Sequence, residues 1–199
     1  MPIRLTEVPP QVAEEIESAL VRLHEARLTL EPEASAPVAM TAAVPLHSAP
    51  SDQVAEGNWL SGARQFGWRS LLEFADGSVG YADVEQTGDR FDFARTSRGA
   101  RATALVEAAA GLGDDIGLPD TELRIVEAPE VRLSAIWLAG EEDLFIPFQG
   151  LEGGLMGRAR FLAESTEHAR RYQQGLRQAQ LEEEQDDGDD QPIQREDGI

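Results

Sequence analysis

Residues 68–81 read WRSLLEFADGSVGY, and this stretch decides the fold class. Trp68, Leu72 and Phe74 alternate with Arg69, Glu73 and Ala75 before the pair Asp76-Gly77. Alternating hydrophobicity broken by Asp-Gly is the sequence signature of a β-hairpin. With Asp76 and Gly77 as a two-residue loop, Phe74 is expected opposite Val79, and Leu72 opposite Tyr81, on one face of the ladder.

Working outward, a third strand is expected over Phe91 to Arg95, after the turn Thr87-Gly88-Asp89-Arg90. A four-residue loop there pairs Gln86 with Phe91 and sends Phe91 and Phe93 to the face opposite Leu72 and Phe74. Burying all four on one side needs an odd loop or a bulge, and the sequence leaves both arrangements open.

Thr96-Ser97 is a candidate N-cap for an alanine-rich helix over residues 98–110, ended by Gly111 and Gly113. Glu122 to Val126, Val131 to Leu138 and Leu144 to Phe148 read as strands. Ala135-Ile136-Trp137-Leu138 is apolar at both alternating positions and is expected to be the most central of them. Pro147 places the last one at an edge. Residues 158–181 carry a helical stripe of Phe161, Ser165, Ala169, Tyr172 and Leu176. At the other end, residues 10–28 carry the stripe Val12, Ile16, Ala19, Leu20 and Leu23 after a proline pair. The order is helix, three strands, helix, two or three strands, helix. It predicts an α+β fold, with an antiparallel sheet of about five to six strands and flanking helices covering mainly one side.

The domain organisation follows from composition. Residues 1–30 hold the first helix, and residues 31–57, with Pro32, Pro37, Pro45 and Pro50 among alanines and serines, read as a linker containing at most one short edge strand. Residues 58–181 form the core. Residues 182–199 hold nine acidic residues against one arginine, and a segment with that charge density and so little to bury is expected to be disordered. There is no basic, apolar leader and no membrane-spanning run, so a cytoplasmic setting is the default expectation.

The 199 residues include 37 acidic side chains and 17 basic ones, all of them arginine, for a formal net charge of -20. Such a chain is not expected to bind nucleic-acid phosphates or anionic membranes directly, because both need clustered cations. It has no cysteine, which excludes disulfides, thiolate metal sites and cysteine nucleophiles. Without lysine, a Walker A loop is impossible. The histidines His24, His47 and His168 lie apart without ligand spacing, Gly77-Ser78-Val79-Gly80 is too short for a nucleophile elbow, and Gly111, Gly113 and Gly117 follow a helix where a dinucleotide fingerprint needs a strand. No catalytic residue, metal or cofactor is therefore assigned.

The most suggestive residues are Trp59, Arg64, Phe66 and Trp68, close together among glycines. Aromatics beside arginine are what protein-recognition patches contain. The functional expectation is a non-enzymatic acidic binding protein, adaptor or chaperone-like, which recognises a basic or amphipathic protein or peptide and has scope for a homodimer through an edge strand or the last helix. The element order and acidity are similar to those of small acidic secretion chaperones, a likeness of architecture and charge alone. Two alternatives stand beside it. One is an inhibitor or immunity-type protein blocking a basic site. The other is a ligand-binding or enzymatic domain with a pocket between sheet and helices, where Tyr81, Asp83 and Arg95 supply polar groups.

Overall fold

The computed structural model describes residues 6–30, 37–112 and 121–186. The chain is α+β, with α1 (Pro10–Leu30), β1 (Pro37–Met40), β2 (Val44–Ser48), α2 (Ser51–Glu56), β3 (Arg64–Phe74), β4 (Val79–Thr87), β5 (Arg90–Arg98), α3 (Ala100–Ala110), β6 (Glu122–Ala128), β7 (Leu133–Ala139), β8 (Leu144–Gln149), β9 (Met156–Gly157) and α4 (Arg158–Asp186). The strands form one nine-stranded sheet in the order β5-β4-β3-β2-β6-β7-β8-β9, with β1 also paired to β3. This is more than the five to six expected, because residues 37–56, read as a linker, supply two strands and α2, and Met156–Gly157 adds β9. The final acidic stretch from residue 187 lies outside the described residues, and α4 runs five residues beyond the expected end at residue 181.

The stretch read as an edge segment holds the centre of the sheet. β2 pairs antiparallel with β3 and parallel with β6, which makes the sheet mixed. Pro45 is compatible with this position because the β6 ladder begins one residue later, at Leu46↔Ile125. Pro147 likewise stays clear of a second ladder, since β9 pairs only with Leu144 and Phe145. β7, expected to be the most central strand, is buried along nearly its whole length between β6 and β8, but β2 and β6 hold the middle of the order.

The first hairpin corrects the expected register. Its loop is Ala75-Asp76-Gly77, with Phe74 N donating to Ser78 O and Gly77 at φ 74°. The pairs are Leu72↔Gly80, Leu71↔Tyr81 and Arg69↔Asp83. The second loop does pair Gln86 with Phe91. Because the first loop is odd, Phe91 and Phe93 now share a face with Trp68, Leu72 and Val84 and pack there against Val12 and Ile16 of α1. Thr96 and Ser97 do not cap α3. They remain in β5, opposite Ala82 and Tyr81, and Gly99 makes the turn.

Helices cover both faces, not mainly one. On the first face, α1 covers the β3–β5 end. At the other end of that face, α4 and α2 cover β6–β8 around Trp59, Trp137, Phe145 and Phe161. On the second face, α3 buries Leu105 against Leu46, Ile125, Ile136 and Ile146.

Candidate functional site

The three polar residues assigned to a possible pocket, Tyr81, Asp83 and Arg95, do meet on the second face, within a larger network. Arg69 donates from Nε and Nη2 to the two oxygens of Asp83, each at 2.7 Å, and from Nη1 to Glu127 Oε1 at 2.6 Å. Arg95 reaches Asp83 Oδ2 at 2.8 Å, and Arg101 reaches Glu127 Oε1 at 2.7 Å and Ser134 Oγ at 3.0 Å. The Arg69 guanidinium also stacks on Tyr81, 3.9 Å from the ring centroid.

Local backbone geometry builds this cluster. A β-bulge at Ala94 separates the pairs Val84↔Phe93 and Asp83↔Arg95, so β5 turns its phenylalanines to one face and Arg95 to the other. Burial opposes the charge on Arg69, but the Asp83 hydrogen bonds and the charges of Glu127 and Asp83 prevail and hold its pKa above the usual arginine value. Three guanidiniums thus enclose two carboxylates. With each carboxylate hydrogen-bonded to at least two arginines, the arrangement acts as a polar brace between the two halves of the sheet rather than as a general acid or base.

The residues assigned to a recognition patch separate. Trp59 is buried, lies tilted against Phe161 and donates from Nε1 to Ser165 Oγ at 3.1 Å. Trp68 is buried in the other core, under α1. Neither indole is available on the surface, because each fills the gap between a helix and the sheet. Arg64 and Phe66 do come together, lining a shallow depression with Pro50, Gln53 and Glu130.

A concave surface of about 820 Å³ lies elsewhere, between residues 150–152 and α4. Leu151, Ala163 and Tyr172 are the apolar part of its lining. Glu152, Glu164 and Glu167 line it against Arg171 and His168. Its geometry depends on Gly150, at φ 86°, where a Cβ would lie 2.6 Å from Arg132 O and 3.0 Å from His168 Nε2. His168 Nε2 in turn donates to Val131 O at 2.7 Å, which fixes the ring against the short 3-10 turn Pro129–Val131. Thr166 Oγ1 and Arg170 Nε donate to the carbonyls of Val54 and Ala55, locking α4 to the end of α2. Beyond Gln173 every described side chain of α4 through Glu182 is exposed, Leu176 and Leu181 included.

Sequence reasoning missed this groove. The stripe Phe161, Ser165 and Ala169 was legible, and all three are fully buried. The spacing Glu164, Glu167, Arg171 on the adjoining face was the one available signal, and it looks like any solvated helix surface. Among the described residues there is no cluster of three or more side chains suited to a metal ion, and no helix is long and apolar enough to cross a membrane. No protein-family model matches the chain, no curated protein matches it in sequence, and no solved structure matches its fold.

Proposed function

We propose that the chain is a non-enzymatic binding protein that takes a basic, amphipathic segment of another protein along the groove between residues 150–152 and α4. The observation that carries this reading is the chemistry of the groove. Leu151, Ala163 and Tyr172 line it beside three glutamates, of which Glu164 pairs with Arg160 and Glu167 with Arg171 in solvent-exposed ion pairs that a cationic partner can displace at little cost. A basic amphipathic helix or extended segment can lay its apolar side on Leu151, Ala163 and Tyr172 while its cations face the glutamates. The overall charge of -20 adds steering at long range, which raises the rate of encounter more than the final affinity.

The end of α4 supports the same reading. A solvent-exposed helical end held by few side-chain pairs is marginal on its own. Leu176 and Leu181 are exposed along that end, and the run of carboxylates starting at Glu182 follows directly. A partner lying along the groove would extend over this surface.

The test is fluorescence anisotropy with a labelled, synthetic Leu/Lys amphipathic helix, titrated with the full chain. Binding is expected at low salt and should weaken about tenfold or more between roughly 50 and 300 mM salt. The triple variant Glu152→Gln, Glu164→Gln, Glu167→Gln should lose most of that salt dependence. Binding that ignores the triple variant, or none at low salt, would overturn the assignment of this groove.

A further inference from the structure

We propose that a second recess, on the opposite face of the sheet beneath α3, is a binding site for a compact, uncharged apolar molecule of about six to nine non-hydrogen atoms. This recess, open to solvent on one side, has a volume of about 200 Å³. Close-packed interiors leave few voids larger than a water molecule. An apolar cavity of roughly 150 Å³ stays dry and accepts benzene. The space here is therefore of ligand size and lies well above the ordinary slack of a core.

Two features of the chain create it. The ladder to β3 is irregular between Met40, the end of β1, and Val44, the start of β2, where the three residues 41–43 span only Ser70 and Leu71 and Thr41 N still donates to Leu71 O at 3.0 Å. Above that irregularity α3 places Ala109, a small residue where a leucine would fill the space. The walls are Leu71, Leu105, Leu123, Ile125 and Ile136, and the mouth opens at the exposed Thr41 and Ala42.

The selectivity follows from what the polar lining atoms are already doing. Thr41 Oγ1 accepts the Leu71 N–H at 3.0 Å and donates to Ala42 O at 3.2 Å. Arg69 turns its guanidinium to Asp83 and Glu127, leaving its methylene stem as lining. A charged headgroup entering the recess would lose its water with nothing to replace it. An aromatic or branched hydrocarbon loses nothing comparable and gains the contacts that the void forfeits.

The experiment is a titration of the full chain with toluene and with indole, followed by the methyl signals of Leu71, Leu105, Ile125 and Ile136 in carbon-13 NMR spectra, with hexanoate as the charged control. Saturable shifts confined to these methyls are expected for both apolar probes and not for hexanoate. Ala109→Leu should abolish the shifts while raising Tm, because it fills the space the ligand needs. Ala42→Leu, at the exposed mouth and without consequence for folding, should weaken probe binding at least about fivefold. Neither result depends on the α4 groove, so truncation after Gln173 should leave the titration unchanged. Absence of saturable shifts with both probes would overturn the proposal, as would shifts that persist in both variants or hexanoate binding as strong as that of toluene.

Discussion

The guanidinium of Arg69 and the carboxylate of Glu127 meet at 2.6 Å with both side chains wholly withdrawn from solvent, 58 positions apart in the chain. Arg69 lies on β3 and Glu127 on β6, so the pair reaches over β2 and fastens the two halves of the sheet together.

Removing one partner of this pair should be costly. Glu127→Ala leaves Arg69 and Arg101 without their shared acceptor, and a loss of about 3–5 kcal/mol in urea unfolding is expected. The triple variant Arg69→Met, Asp83→Asn, Glu127→Gln removes the buried charges together and should lose less than Glu127→Ala alone. A larger loss in the triple variant would show that the ion pairs contribute net stability in their own right.

Acidification should destabilise the protein through His47. Burial, reinforced by the charge of Arg124, lowers its pKa to about 4 against the opposing influence of Glu122 and of the carbonyls of Pro45 and Ile125. The folded ring stays neutral while the unfolded chain takes up a proton, so stability falls as the pH drops through about 6.5 and the fall levels off below about 4. Between pH 7 and pH 5 this amounts to about 2 kcal/mol. Urea midpoints at the two pH values measure it, and His47→Gln should flatten the slope over this window. The carboxyl of Glu122 acts at lower pH. Burial opposes its charge, but hydrogen bonds from Thr6 and Arg124 still hold it below the usual range, and its contribution is lost as it protonates.

Deleting Ala94 should leave the second hairpin in register. Without the bulged residue, Val84↔Phe93 and Asp83↔Arg95 become consecutive pairs of a regular ladder, so the phenylalanines stay under α1 and Arg95 stays against Asp83. The expected result is retention of the Arg95–Asp83 ion pair and a change in stability of about 1 kcal/mol or less, read from urea or thermal unfolding. A loss of about 3 kcal/mol or more would show that the local bend at Ala94 is itself needed to bring Arg95 to Asp83.

Gly67→Ala should be poorly tolerated although it adds a single methyl group. That carbon would lie 2.2 Å from the Val84 carbonyl oxygen, so β3 and β4 must move apart at the Gly67↔Glu85 pair. A loss of about 3 kcal/mol is expected, with the largest gain in amide exchange along β3 and β4. Unchanged exchange there would contradict the close strand approach.

The parts of the fold legible in the sequence were those with a strong local period. Phe161, Ser165 and Ala169 fixed the buried face of α4, and the Asp76-Gly77 turn placed the first hairpin. Its register was missed because two-residue and three-residue loops share that dipeptide, and the single residue of difference sends Tyr81 and Asp83 to the Arg69 face and brings Ala82 and Val84 to the face of Trp68 and Leu72. β2 was misplaced for another reason. Pro45 and Pro50 mark a break in local structure, while its place between β3 and β6 is set by long-range pairing that leaves no local trace. The Arg69, Asp83 and Glu127 cluster was equally hidden, since an ion pair across such a sequence distance has no spacing rule. Trp59 and Trp68 were drawn together by proximity in the chain, yet strand and loop geometry send them to separate cores.

The parallel pairing of β2 with β6 has a consequence for biosynthesis. As the chain leaves the ribosome, β2 and β3 emerge long before β6, so the strand destined for the middle of the sheet begins with one side bare. Until β6 is made, the amides of Leu46 to Ser48 that will face it form an unprotected border open to other nascent chains. Slow translation between β5 and β6 would lengthen that exposure, and synthesis at high polysome density is where aggregation should appear first.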